Sequence, residues 1–183
     1  MPFTFKRLEI PDVIVIEPKS FSDDRGFFLE SFKESEFISN GINKKLVQDN
    51  ISHSTRGVLR GLHFQKNPKP QAKLVTVIKG KIFDVAVDIR KNSPTYGKWV
   101  SQILSEEEHN LLYVPEGFAH GFCVLSEEAD VYYKVSNEYS SEHEDGIVWN
   151  DPNLNISWPL TDVIVSDKDK QLPLLENLEN SFE

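Results

Sequence analysis

Apolar and polar side chains alternate with period two over many short stretches of this chain, and glycine, proline and asparagine interrupt the alternation at close intervals. In one stretch Phe83, Val85, Val87 and Ile89 fall on one side and Ile82, Asp84, Ala86 and Asp88 on the other. The pattern predicts strands over 13–17, 26–31, 45–53, 57–64, 73–78, 81–89, 98–104, 111–114, 121–125 and 131–135. Helical signal is confined to 32–39, stopped by Asn40-Gly41, and to a short turn after Ser105 built on Glu106 to Glu108. Strands do not alternate with long amphipathic helices, which disfavours a parallel nucleotide-binding sheet. The expectation is an all-β sandwich or antiparallel barrel with a few short helices.

Composition narrows the class. A chain of 183 residues with 39% hydrophobic side chains suits one core, so residues 1–183 are read as a single domain. Apolar runs never exceed four residues, so no membrane span is expected, and no secretion signal is seen at the N-terminus. One cysteine, Cys123, allows neither an intrachain disulfide nor a multi-cysteine zinc site, which fits a cytoplasmic protein. The net charge of −9 is concentrated late: residues 141–183 hold 10 acidic and 2 basic side chains. That acidic segment reads as a solvated face, and without a basic stripe a nucleic-acid partner is not expected.

Phosphate-loop, dinucleotide, nucleophile-elbow and zinc-protease motifs are all missing. Of five histidines, His63 lies in His63-Phe64-Gln65, where a metal-binding barrel would place a second ligand at the glutamine. His120 ends the turn Pro115 to Ala119 that leads into a strand. These two segments resemble the paired motifs of the cupin barrel with the ligand pattern broken, so no metal is expected.

The nonapeptide 57–65 (GVLRGLHFQ) resembles the signature of dTDP-4-dehydrorhamnose 3,5-epimerases. So do 83–90 (FDVAVDIR), 114–122 (VPEGFAHGF), 133–135 (YKV), 23–28 (DDRGFF) and 166–169 (SDKD), in the family's order over about residues 3–173. The resemblance implies a metal-free cupin-type jelly-roll β-barrel, a homodimer without a cofactor, and a dTDP-4-keto-6-deoxy sugar as substrate. It implies inversion at carbons 3 and 5, which flank a ketone and so carry protons that an enolate acidifies.

Candidate roles follow from that chemistry. His63 is the base, because a neutral imidazole is available near neutral pH, and the family pairs it with an acid at Asp169; a core histidine on a backbone carbonyl is the structural alternative. Tyr133 is the acid, since a phenol stays protonated at neutral pH, yet Val131, Tyr133 and Val135 also share one strand face as packing would require. Lys73 shares a strand side with Val75 and Val77 and must find an anion: the enolate oxygen, or Asp84 on the following strand. By resemblance Arg25, Arg60, Lys168 and His120 contact phosphates and sugar, Glu30, Gln48, Asn50 and Glu144 add polar contacts, and Tyr139 stacks on thymine with help from Phe27. The Arg25 segment enters either its own or the partner subunit's site. In an unbroken strand Arg60 and His63 point to opposite sides, so one shared cavity requires a bulge at Gly61 or a later strand start. A 3-epimerase, a non-catalytic sugar-nucleotide binder and a metal-dependent oxygenase are the competing readings; Gln65 speaks against the last.

Overall fold

The computed structural model describes residues 2–179 and 182. Strands β1 (Phe3–Arg7), β2 (Ile14–Pro18), β3 (Ser20–Asp23) and β4 (Gly26–Leu29) precede helix α1 (Glu34–Ser39). Then come β5 (Gln48–Thr55), β6 (Val58–Gln65), β7 (Lys73–Lys79), β8 (Lys81–Asp88) and β9 (Trp99–Ser105). β10 (Leu111–Val114), β11 (Phe118–Val124), β12 (Glu128–Val135), β13 (Glu144–Gly146) and β14 (Ile164–Val165) follow, with helix α2 (Asp167–Lys170) after them.

Two sheets are built from these strands. One runs β1-β2-β10-β7-β12-β5, the other β13-β6-β11-β8-β9 with β14 beside β6, and β3–β4 is a separate hairpin. All pairings are antiparallel except β14 with β6. Val75, Val77 and Val131 of the first sheet share a core with Ile82, Ala86, Val100 and Phe122 of the second, so apolar packing joins the two inner faces.

Period two explains β8 in full. Ile82 and Ala86 enter the core between the sheets, whereas Val85, Val87 and Ile89 pack on the opposite face against Ile147, Leu154, Leu175 and Leu178. The acidic C-terminal segment is therefore more than a solvated face. Its apolar side chains cover the outer side of β8, and its Asp151 and Asp169 are buried.

Several elements differ from expectation. β1, β3, β13, β14 and α2 are too short, or too irregular in polarity, for a period to register. β11 begins at Phe118, three residues before the expected Gly121, because Gly117 supplies the turn at φ +82°. Helix α1 starts at Glu34, two residues late, and the turn after Ser105 forms as expected.

Candidate active site

The site begins with an irregularity in β6. His120 of β11 pairs with His63, and Phe122 pairs with Arg60, so three steps on β6 match two on β11. This is a bulge, and Gly61 carries it at φ +123°. A Cβ on Gly61 would lie 2.6 Å from the Gly121 Cα, so only glycine admits the approach. The extra residue turns Arg60 to the same side as His63, and both line one cavity. The parity conflict in the sequence is resolved by the bulge.

Asp169 reaches His63 from α2. Ser166 caps that helix by accepting the Asp169 N–H at 3.1 Å. The buried carboxylate approaches His63 Nε2 through Oδ1 at 2.8 Å and accepts the Gly61 N–H through Oδ2 at 3.1 Å. Burial alone would push this carboxyl up. The hydrogen bonds and charge of His63, with Gly61 and Ser166, outweigh burial and hold it below its ordinary value. A carboxylate on Nε2 fixes the neutral tautomer with its proton there, which leaves the Nδ1 lone pair to accept a proton.

Tyr133 comes from β12, in the other sheet. It is raised above the usual phenol value by burial and by Glu144, with Arg60 opposing, so it stays protonated through neutral pH. Lys73 opens β7 and is 8% exposed. Burial pushes its ammonium down to about 8, against the charges of Glu144 and Asp84. Its Nζ donates to Gln71 Oε1 at 3.2 Å. The alternative pairing with Asp84 is corrected: β7 and β8 belong to different sheets, and the Asp84 carboxylate meets His120 Nε2 at 2.8 and 3.0 Å. Asp84 acts on Lys73 through charge alone.

The cavity has two adjoining lobes of about 290 and 250 Å³, and His63, Lys73 and Tyr133 line both. Arg60, His120, Phe122 and Ser52 complete the inner lobe, while Gln48, Asn50, Tyr139 and Glu144 line the outer one. At the mouth the Tyr139 hydroxyl and Lys168 Nζ both donate to Glu144 Oε2, at 2.7 and 2.6 Å. Lys168 is thus tied to the cavity through Glu144. Gln65 Nε2 donates to the Lys69 and Glu138 carbonyls and its Oε1 accepts the Ser140 N–H, so its amide serves the backbone. Among the described residues no group of three or more His, Cys, Asp or Glu side chains is placed to hold a metal ion.

Three expected residues lie outside this chain's own cavity. Arg25, its side chain 90% exposed, is bound to Asp23 at the tip of the β3–β4 hairpin. Phe27 stacks on His109 with ring centroids 4.4 Å apart, and Glu30 lies beside Phe21, Phe28 and Lys33. None of the three lines either lobe of the cavity. Conversely, Ser52, Gln71, Phe64 and Phe122 line the cavity without having been singled out. Ser52 was legible only as the next inward position after Gln48 and Asn50 on β5.

Two facing β-sheets thus enclose a carboxylate-held imidazole, a phenol and a buried ammonium around one cavity, the set of groups that acid–base isomerase chemistry uses. The family model for dTDP-4-dehydrorhamnose 3,5-epimerase matches residues 7–177, and the chain belongs to that family. The dTDP-4-dehydrorhamnose 3,5-epimerase of Shigella flexneri is 56% identical over 165 residues, 89% of this chain and 91% of its own length. The crystal structure of the Legionella pneumophila dTDP-6-deoxy-D-glucose-3,5-epimerase with dTDP-4-keto-L-rhamnose superposes with a TM-score of 0.94 at 47% identity, covering 97% of this chain and 95% of that one. A 3'-monoepimerase from Streptomyces bikiniensis in complex with dTDP-quinovose is also similar, with a TM-score of 0.87 at 32% identity over 93% of this chain and 87% of that one.

Proposed function

We propose that this chain is a dTDP-4-dehydrorhamnose 3,5-epimerase that converts dTDP-4-dehydro-6-deoxy-D-glucose to dTDP-4-dehydro-L-rhamnose without a cofactor. The observation that carries the reading is that His63, held by Asp169, and Tyr133, from facing sheets, line one cavity.

The proton at carbon 3 passes to His63 Nδ1, and its bonding pair moves into the ring and onto the ketone oxygen at carbon 4. The Lys73 ammonium stabilises that enolate oxygen, and Asp169 stabilises the imidazolium. Tyr133 then delivers a proton to carbon 3 from the other face, and the carbonyl reforms. Imidazolium and phenolate return to their starting states by exchange with water, and the cycle repeats at carbon 5. Atoms and charge balance, and no oxidant enters. Arg60, His120 and Lys168 contact the phosphates and sugar, Gln48, Asn50 and Glu144 add polar contacts to the nucleotide sugar, and Tyr139 offers its ring to thymine.

Two sheets packed face to face are consistent with a cupin-type jelly roll, and the C-terminal cover over β8 supports reading the chain as one domain. A homodimer fits the β3–β4 hairpin, which exposes Phe21, Phe27 and Phe28 together. In that dimer Arg25, Phe27 and Glu30 serve the partner subunit's cavity. The acidic net charge argues against nucleic acid as a partner, and the single cysteine fits the cytoplasm. Among the described residues no helix is long and apolar enough to cross a membrane.

In deuterated water the chain is expected to place deuterium at both carbons 3 and 5 of dTDP-4-keto-6-deoxyglucose, followed by proton NMR. Label at carbon 3 alone would support a 3-epimerase, the activity named for the Streptomyces bikiniensis relative, and no label a binding protein.

A further inference from the structure

Along one face of β5 the side chains Gln48, Asn50, Ser52 and Ser54 succeed one another; Gln48 and Asn50 line one lobe of the cavity and Ser52 the other. Three of them are bound within the protein. Gln48 accepts the Tyr139 N–H and donates to Asn50 Oδ1, at 2.9 and 2.8 Å, and Ser54 Oγ accepts from Arg60 Nε at 3.0 Å. Ser52 differs. Its Oγ is the buried side-chain polar atom for which no hydrogen-bond partner is found among the described residues. A buried hydroxyl without a partner is unfavourable and rare, so a native protein that keeps one has a use for it.

The register says what that use is. Ser52 stands opposite Val131 and Asn50 opposite Tyr133, so Ser52 is the diagonal neighbour of Tyr133 on the same inner face. It lines one lobe with Arg60, His63, Lys73, His120, Phe122 and Tyr133 itself, so the groups assigned to proton transfer surround it. A group within reach of both Tyr133 and Ser52 is part of the ring on which protons move, and the nucleotide lies outward toward Tyr139. The hydroxyl is neutral, both donates and accepts, and sits in a lobe with the Phe122 ring. That chemistry matches a sugar hydroxyl, whereas the guanidinium and ammonium groups match phosphate.

We infer that Ser52 is a specificity-determining residue whose hydroxyl hydrogen-bonds a ring hydroxyl of the hexose. The inference rests on the epimerase reading and adds a residue to it. The Ser52→Ala variant is expected to bind dTDP-glucose about tenfold more weakly, while its affinity for dTDP without a sugar is unchanged, both by calorimetry. Its KM for the 4-keto sugar nucleotide rises by about the same factor. Its Tm without ligand does not fall and rises by a few degrees, because an unsatisfied buried group has been removed. Unchanged dTDP-glucose affinity, or an equal loss for dTDP, would overturn the inference. Wild-type protein that moves no deuterium into either carbon would instead remove the epimerase reading, and the inference with it.

Discussion

Replacing His63 with asparagine is expected to abolish deuterium incorporation at carbons 3 and 5 together, with kcat lower by at least about 10³. In the proposed mechanism the single Nδ1 lone pair, kept free because Asp169 holds Nε2, is the base for both carbons. Asparagine preserves a donor toward Asp169, so the buried carboxylate keeps a partner and the fold survives. A chelator leaves wild-type exchange unchanged, since every step is assigned to side chains. The check is exchange by NMR together with a circular-dichroism melt. Exchange in the variant above a tenth of the wild-type rate, at either carbon, would place the base elsewhere, with Glu144 the next carboxylate in the cavity.

The Lys73→Met variant is expected to lose activity and gain stability. Loss of one donor to a developing oxyanion costs about 10²–10³ in kcat. The ammonium is buried and pushed down to about 8, against about 10.4 in an unfolded chain. Keeping it charged in the fold thus costs about 3 kcal/mol below pH 8, an upper bound on the gain because Asp84 and Glu144 lose a neighbouring charge. We expect a gain of about 1–2 kcal/mol, measured by urea denaturation at pH 7. The pH dependence has a definite sign. Between pH 8 and 10.5 the unfolded chain binds the proton that the folded one has shed, so wild-type stability rises with pH there. On the proposed mechanism activity needs the ammonium and is expected to fall over that window. A methionine variant that kept the basic limb of the rate profile, or more than a tenth of kcat, would remove Lys73 from the mechanism.

Much of this was legible in the chain, for reasons that vary by element. The alternation in β8 is strict, and its two apolar rows bury in two different cores. The nonapeptide around His63 carried the resemblance, and counting residues between Arg60 and His63 left two ways into one cavity, a bulge at Gly61 or a later strand start, of which the structure has the bulge. Where signal failed, periodicity was the missing ingredient. Helix α2 is four residues long, and Leu175 and Leu178 come from a segment with no sustained repeat, so their burial depends on tertiary packing. Of the two anions open to Lys73, direct pairing with Asp84 does not form, because β7 and β8, consecutive in sequence, belong to opposite sheets and His120 takes the Asp84 carboxylate. Arg25 and Phe27 lie on a hairpin whose direction no local pattern encodes.

The most direct test of transfer from two sides is the Tyr133→Phe variant in deuterated water, with exchange and inversion scored separately by NMR. His63 still removes a proton and can return a deuteron to the same face, so label enters the starting sugar with its configuration retained. Inverted product falls about 10²–10⁴-fold because the acid on the opposite face is gone. Inverted product formed at the wild-type rate by this variant would contradict the account.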